Sequence, residues 1–180
     1  MVAFDNTILS LLLFPDAKLQ GVEFARERVL GLMQKLVAAR EQVLIPSPAL
    51  CEALVTEGVD PGQVLEEIRK YACLRIGDFD QRAAIEMALR LRQAIQARDS
   101  REGLPSTKSA MKFDRQIVAI ALVNGARVLY SYDAGVQKFA AGCSLPVERT
   151  GDLPVPAMQN DLPFDSQQAG DSSGDAEKTE

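Results

Sequence analysis

The fold of this chain is decided by residues 112–133, which read KFDRQIVAIALVNGARVLYSYD. The first half predicts an apolar helix over about 113–124, closed by Gly125, because a glycine directly after the last turn is a common helix stop. The second half predicts a short buried strand over 127–131. Asp114 lies in the first predicted turn of the helix and Asp133 follows the strand. This one stretch therefore places two carboxylates at the turning points of an α/β unit.

The same alternation of strands and helices runs outward through the first 150 residues. Short apolar runs predict further strands at 2–4, 43–45, 73–76 and 145–148. Segments with helical periodicity lie at 8–14, 22–40, 49–56, 60–71, 80–98 and 134–141. Asp60 before Pro61 is a helix start, with the aspartate as N-cap. Strands that alternate with helices predict an α/β fold, a parallel sheet with helices on both faces.

Two of these helices carry long apolar stripes that predict buried faces. The stripe of the first helix consists of Val22, Ala25, Val29, Leu32, Met33, Leu36 and Val37. The stripe of the second consists of Ala84, Met87, Ala88, Leu91 and Ile95. A polar loop is expected between this second helix and Phe113. The stripe in 80–98 is also a candidate surface for a second copy of the chain, although core packing would explain it equally well.

Four carboxylates fall at the predicted strand ends or helix starts: Asp5, Glu52, Asp114 and Asp133. The carboxyl ends of parallel strands converge at one edge of a sheet, where ligands bind. Clustered carboxylates repel one another and resist ionisation unless a cation is present. Oxygen ligands alone suit Mg²⁺ or Mn²⁺. Each acid taken singly has a structural explanation as a cap, a turn residue or an exposed helix residue.

The composition excludes several kinds of catalytic site. The chain has no histidine, so Ser-His-Asp chemistry, Cys-His chemistry and the usual histidine-bearing zinc sites are absent. Cys51, Cys73 and Cys143 are odd in number and widely spaced, which excludes a disulfide framework or a CxxC metal site; buried apolar roles are expected for them. No apolar run is long enough to span a bilayer, and no basic region precedes 8–14. A cytoplasmic protein without membrane contact is expected.

The charge is unevenly distributed along the chain. Residues 151–180 carry seven acidic side chains and one lysine, a net charge of −6, so the first 150 residues carry +1 of the total of −5. The last thirty residues therefore predict an acidic, disordered tail beyond a domain at 1–150. Segment 90–115 has seven basic and three acidic side chains, a net charge of +4. A basic segment that leads into an acidic cluster suggests a polyanion brought to a metal, although a solvated helix face is the simpler reading.

The full set of motifs resembles the PIN-domain ribonucleases, and within them the VapC toxins of bacterial toxin–antitoxin pairs. The motifs are Asp5-x-Thr7 after the first strand, Ile-Pro-x-x-x-Leu-x-Glu ending in Glu52, Asp114-x-x-Ile-x-Ala-x-Ala, and Ser131-x-Asp133 with an aromatic residue behind it. The resemblance covers about residues 1–150. It implies a single domain with a five-stranded parallel sheet in the order 3-2-1-4-5.

The resemblance also implies a function. Asp5, Glu52, Asp114 and Asp133 would be the metal-site acids, and Thr7 and Ser131 would hold them in place. RNA would be hydrolysed by water that Mg²⁺ or Mn²⁺ activates, leaving 5′-phosphate and 3′-hydroxyl ends. The candidates for contacts to the RNA backbone are Arg98, Arg101, Lys108, Lys112 and Arg115. A small antitoxin protein and a homodimer are the partners implied.

Two other functions remain open at this point. One is a PIN-fold module that binds RNA or protein, cleaves weakly or not at all, and recruits a partner through its acidic tail. The other is a phosphotransfer domain of response-regulator type, which needs an acceptor aspartate after a central strand. Residues 43–45 lead instead to Pro46 and Ser47, which disfavours that alternative.

Overall fold

A computed structural model describes residues 1–55, 58, 60–96 and 108–156, without the side chains of 108 and 109. Its sheet has five parallel strands in the order β3-β2-β1-β4-β5. The strands are β1 Val2–Phe4, β2 Val43–Pro46, β3 Leu74–Gly77, β4 Leu129–Tyr130 and β5 Val147–Glu148. In the register of the central strand, Ala3 pairs with Leu44 on one side and with Leu129 on the other. The predicted fold class and strand order are confirmed.

Seven α-helices connect these strands within the described residues. They are α1 Asn6–Leu13, α2 Ala25–Ala38, α3 Ser47–Leu54, α4 Pro61–Arg69, α5 Gln81–Gln96, α6 Lys108–Val123 and α7 Ala134–Ala141. Aspartates cap α1, α4 and α7: Asp5, Asp60 and Asp133 each accept a hydrogen bond from a backbone N–H in the first turn. Gly125, two residues after α6, has a φ of 72°, the left-handed conformation that favours glycine.

Alternate residues of the central strands bury into cores on opposite faces of the sheet, as the pleat requires. Ala3, Leu44 and Leu129 belong to a core built mainly with α6 and α7. Their neighbours Val2, Phe4, Val43 and Tyr130 belong to a second core built with α1 and α2. The helices therefore cover both faces of the sheet, and the strand ends at its carboxyl edge stay available for a site.

Three local predictions are wrong. Helix α6 begins at Lys108, so residues 108–112 are helical and Asp114 lies in the second turn, not the first. In α5 only Ala83 is fully buried, whereas the stripe residues Ala88 and Ile95 are exposed. A helical period shows that an apolar stripe exists, but it does not show whether a neighbour covers it.

Exposure was also mispredicted at single residues. Val37, at the end of the predicted stripe and in the last turn of α2, is exposed. Val22 precedes α2, which begins only at Ala25. Of the three cysteines expected to be buried, Cys51 is exposed and Cys73 and Cys143 are half-buried.

Residues 150–156 continue to pack on the domain after β5. Thr150–Asp152 form a short 3₁₀ helix, and Leu153 is buried in the core beneath α2. Arg28 of α2 donates hydrogen bonds to the backbone carbonyl oxygens of Gly151, at 3.2 Å, and of Leu153. The rest of the expected tail, residues 157–180, lies outside the described residues. Within the described part of the chain, no helix has both the length and the apolar character needed to cross a membrane.

Candidate carboxylate site

Asp5 is the most deeply placed of the four acids. It follows β1, the central strand, and only 2% of its surface is exposed. One carboxylate oxygen accepts a hydrogen bond from the backbone N–H of Ile8 at 3.0 Å, and the other accepts one from the hydroxyl of Ser131. Burial raises the pKa of Asp5 from 3.8 to about 6, although the hydrogen bonds from Ser131 and Ile8 oppose that rise.

Ser131 connects Asp5 to Asp133. It is fully buried directly after β4, and its hydroxyl oxygen accepts a hydrogen bond from the backbone N–H of Asp133 at 3.0 Å. The Asp133 carboxylate in turn accepts from the backbone N–H of Val136 at 2.9 Å, which fixes it as the cap of α7. The predicted supporting role of Ser131 therefore has a physical basis. Thr7 reaches Asp5 through its backbone N–H.

The pKa of Asp114 depends on the charges of the other three acids. Its side chain projects from α6 and is 8% exposed. Burial, and then the negative charges of Asp133, Glu52 and Asp5, raise the pKa of Asp114 from 3.8 to about 7. Arg115 opposes this rise. Asp114 therefore lies within range of the charges of carboxylates on three other elements.

Glu52 completes the group from α3. It is half-buried, and its pKa is raised by burial and by the charge of Asp133. Asp133 itself is exposed. The four acids therefore differ in burial. Asp5 and Asp114 are buried at the base of the site, and Glu52 and Asp133 are nearer to solvent.

Gly135, in the first turn of α7, leaves room for the acids. A Cβ atom built there would lie 2.3 Å from Oδ2 of Asp114 and 3.0 Å from Oδ1 of Asp133. A real Cβ atom could not occupy that position unless the carboxylates moved. The close approach of α7 to Asp114 thus depends on glycine, a feature that the sequence pattern did not reveal.

The donor chemistry of this cluster fits a divalent cation. All candidate ligands are carboxylate oxygens, and their mutual repulsion would be relieved by a bound positive charge. Within the described residues, however, no group of three or more acidic or cysteine side chains is arranged to hold a metal ion directly. A hydrated ion that takes one or two carboxylates and keeps several waters is the mode that Mg²⁺ usually adopts. The residues fit that mode rather than a closed cage.

The basic residues predicted for RNA contacts are only partly described. Arg98 and Arg101 lie outside the described residues, as does the side chain of Lys108. Lys112 is exposed on α6, two residues before Asp114. The guanidinium of Arg115 lies over the ring of Phe139, 4.6 Å from its centre.

One further cation lies at this edge of the sheet and was not among the predicted residues. Arg149 follows β5 and places its guanidinium 4.9 Å from the centre of the Tyr132 ring. Tyr132 precedes Asp133 in the chain, so this pair lies at the same sheet edge as the acids. Its position directly after the last strand was a usable signal.

Comparison with solved structures identifies the fold. A chain of VapBC2 from Rickettsia felis, in a crystal structure bound to a DNA fragment from the promoter, matches with a TM-score of 0.53 and 19% identity, over 83% of this chain and 98% of that one. A chain of DNA-bound VapBC from Salmonella typhimurium matches with a TM-score of 0.51 and 18% identity, over 83% of this chain and 99% of that one. The resemblance to a VapC-like PIN domain is thereby confirmed at the level of the fold. Neither a family model nor a curated protein matches the sequence.

Proposed function

We propose that this protein is a divalent-metal-dependent endoribonuclease that hydrolyses RNA phosphodiesters at the four carboxylates. The observation that carries the proposal is that the acids meet in space. Carboxylate oxygens of Asp114 and Asp133 both lie within 3.0 Å of the place where a Cβ atom of Gly135 would stand. Ser131 bonds both Asp5 and the backbone of Asp133. The raised pKa of Asp114, to which the charges of Asp133, Glu52 and Asp5 contribute after burial, supports the same view. Acids that repel one another at a sheet edge lower the stability of the folded protein. A function that needs a bound cation explains why the chain has them nevertheless. The fold shared with VapBC chains supports the same class of protein.

The residues take distinct roles under this proposal. Asp5 and Asp114 hold Mg²⁺ or Mn²⁺, and Glu52 and Asp133 hold it directly or through water. The ion, when bound, supplies Lewis-acid stabilisation of the phosphate and lowers the pKa of water. Ser131 fixes the orientation of Asp5 and of the backbone at Asp133.

The remaining groups would hold a proton or position the substrate. Glu52 is half-buried and has a raised pKa, so it is suited to orient the attacking water and accept its proton. Lys112 and Arg115 flank Asp114 and would contact the RNA backbone, which fixes the position of the strand without reading its sequence. Arg98, Arg101 and Lys108 extend that basic segment in the proposal.

The partners of the structural neighbours suggest partners for this chain. Both neighbours were crystallised as VapBC complexes with DNA. We infer that a small antitoxin protein covers the acidic edge of this chain. A basic side chain of the antitoxin would relieve the repulsion around Asp114. A homodimer, a cytoplasmic location and an acidic tail beyond the packed residues 151–156 belong to the same proposal.

The deciding experiment is cleavage of a mixed RNA pool by purified protein in Mg²⁺, Mn²⁺ or EDTA. Asp5→Asn and Asp114→Asn are the test variants, and Asp78→Asn, an exposed aspartate after β3, is the matched control. We expect metal-dependent cleavage by the wild type and the control, and loss of at least about a hundredfold in the test variants, since each removes a charged group from the reaction centre. Full activity in both test variants would refute the site assignment.

A second candidate function is a PIN-fold binding module with little or no cleavage. It is favoured by one observation, that the described acids do not form a ready cage for a metal ion. Thermal unfolding with and without Mn²⁺ separates the two functions, because a ligand that binds only the folded state raises its stability. A nuclease site should be stabilised by the ion in the wild type and not in Asp114→Asn, whereas a pure binding module should show no such difference.

A further inference from the structure

A groove of about 320 Å³ lies between α5, α6 and α7. Its walls include Met87, Arg90, Gln93 and Ala94 of α5, Arg115 of α6 and Phe139 of α7. The volume is at the lower end of the roughly 300–1,000 Å³ that ligand pockets occupy. The surface is mainly apolar, and two guanidinium groups but no carboxylate are among its described lining residues.

The groove begins about one helical turn from the carboxylate site. Asp114 belongs to the acid cluster, and the next residue, Arg115, lines the groove. On α7, Gly135 lies against Asp114, and Phe139, one turn further along, forms the groove wall. Residues four apart on a helix lie on the same face. Both helices therefore lead from the acids directly into the groove.

We propose that this groove receives one nucleobase of a single-stranded RNA whose backbone crosses the four carboxylates. The inference rests on the proposed nuclease function and adds a recognition site to it. Unstacked bases of RNA are commonly held against aromatic rings or the planar face of an arginine guanidinium. The guanidinium of Arg115, which lies over the ring of Phe139, lines the groove and is such a plane. The Gln93 amide can both donate to and accept from a base edge.

The charges around the groove favour RNA over an apolar protein side chain as its occupant. Arg90 and Arg115 line it, and Lys112 is exposed one turn before Arg115 on the same helix. Glu86 pairs with Arg90 at 2.5 Å, and Asp114 directly precedes Arg115. A polyanion would gain from these cations while its base fills the apolar space. An uncharged side chain of a protein would fill the apolar space but would gain nothing from the cations.

The first test compares binding of two short RNAs to the full chain in EDTA, where the proposed cleavage cannot occur. One is an ordinary single strand and the other is an abasic strand with the same backbone. Ala94→Phe fills the groove, and Ala88→Phe makes the same change on the exposed face of α5. We expect the wild type and Ala88→Phe to prefer the ordinary strand by roughly tenfold or more, and Ala94→Phe to lose that preference. The thermal unfolding of both variants is measured in parallel.

A second measurement needs no substitution in the groove. Met87 lines the groove, whereas Met33 is buried in the core on the other face of the sheet. Titration of the wild type with the ordinary RNA strand should shift the Met87 methyl resonance and leave that of Met33 in place. The abasic strand should leave both unchanged.

The outcomes separate this inference from the nuclease proposal. Unchanged base preference in Ala94→Phe, or no shift at Met87 on RNA binding, overturns the nucleobase site, even if Mg²⁺-dependent cleavage by the wild type is intact. Equal affinity of the wild type for both strands overturns it as well and leaves the groove to a protein partner. If the wild type neither binds nor cleaves RNA, both proposals fail. Should Ala94→Phe not fold, the Met87 result decides.

Discussion

The hydroxyl of Ser131 donates a hydrogen bond to the carboxylate of Asp5, and this bond joins the end of the central strand to the end of its neighbour β4. Both residues are buried, so few water molecules can compete for this hydrogen bond. The same hydroxyl accepts the backbone N–H of Asp133 at 3.0 Å. Ser131 is therefore the physical link between two of the proposed metal ligands.

Replacing Ser131 by alanine should destabilise the protein by about 1–3 kcal/mol at pH 8, because a buried carboxylate loses a hydrogen-bond donor. The pKa of Asp5 should rise further, since the Ser131 bond is the largest of the hydrogen bonds that oppose the effect of burial. Urea unfolding in EDTA measures the change. Ser10→Ala is the control, because it also removes a serine hydrogen bond, at 3.0 Å to Asn6, away from the acids. An equal loss in both variants would contradict a special role for Ser131.

The metal-free protein should lose stability as the pH rises from about 4 to about 7. The folded-state pKa values of Asp5 and Asp114, about 6 and about 7, lie above the ordinary 3.8. A group with a raised pKa contributes stability that is present below its unfolded value and is lost as the pH passes the folded value. The loss should be on the order of 2 kcal/mol per group. Urea midpoints measured in EDTA across this range test it, and a midpoint that rises with pH would contradict it.

Asp114→Asn should stabilise the metal-free protein at pH 8 while it removes stabilisation by Mg²⁺. The amide has no charge for Asp133, Glu52 and Asp5 to repel, so a gain on the order of 1–2 kcal/mol is expected. Thermal unfolding in EDTA and in Mg²⁺ provides both readings. Asp78→Asn should change neither, because that side chain is exposed and outside the cluster. Destabilisation by Asp114→Asn in EDTA would mean that the carboxylate is a structural group.

The sequence was informative where local chemistry determines structure. Asp60 caps α4 as its position before Pro61 indicated, and Asp5 caps α1, one of the roles that its position after a strand suggested. The cap that Asp133 forms on α7 was not predicted. Gly103 and Pro105 suggested a loop, which was predicted to run to residue 112. Helix α6 begins earlier, at Lys108. Contacts between elements that are distant in the chain could not be predicted from the sequence. The stacking of Arg149 on Tyr132 joins two strand ends, and the fit of Gly135 against Asp114 joins two helices.

Gly135→Ala offers the sharpest test of how closely the acids must pack. The added methyl group would lie 2.3 Å from Oδ2 of Asp114, so either this carboxylate or α7 must move. Because alanine is favoured over glycine in a helix by roughly 1 kcal/mol, the fold should survive the displacement. We expect RNA cleavage to fall at least about tenfold and stabilisation by Mn²⁺ to weaken, since small displacements of reacting groups are costly. Cleavage kinetics and thermal unfolding of the same preparation measure the two effects.

Gly151→Ala is the matched control for that variant. Its Cβ atom would meet only Cγ2 of Val22, at 3.9 Å, which is an ordinary contact, and it lies in the 3₁₀ helix after β5. It should leave cleavage and the response to Mn²⁺ unchanged. Wild-type cleavage and a wild-type response to Mn²⁺ in Gly135→Ala would contradict the prediction that the reaction needs α7 packed closely against Asp114.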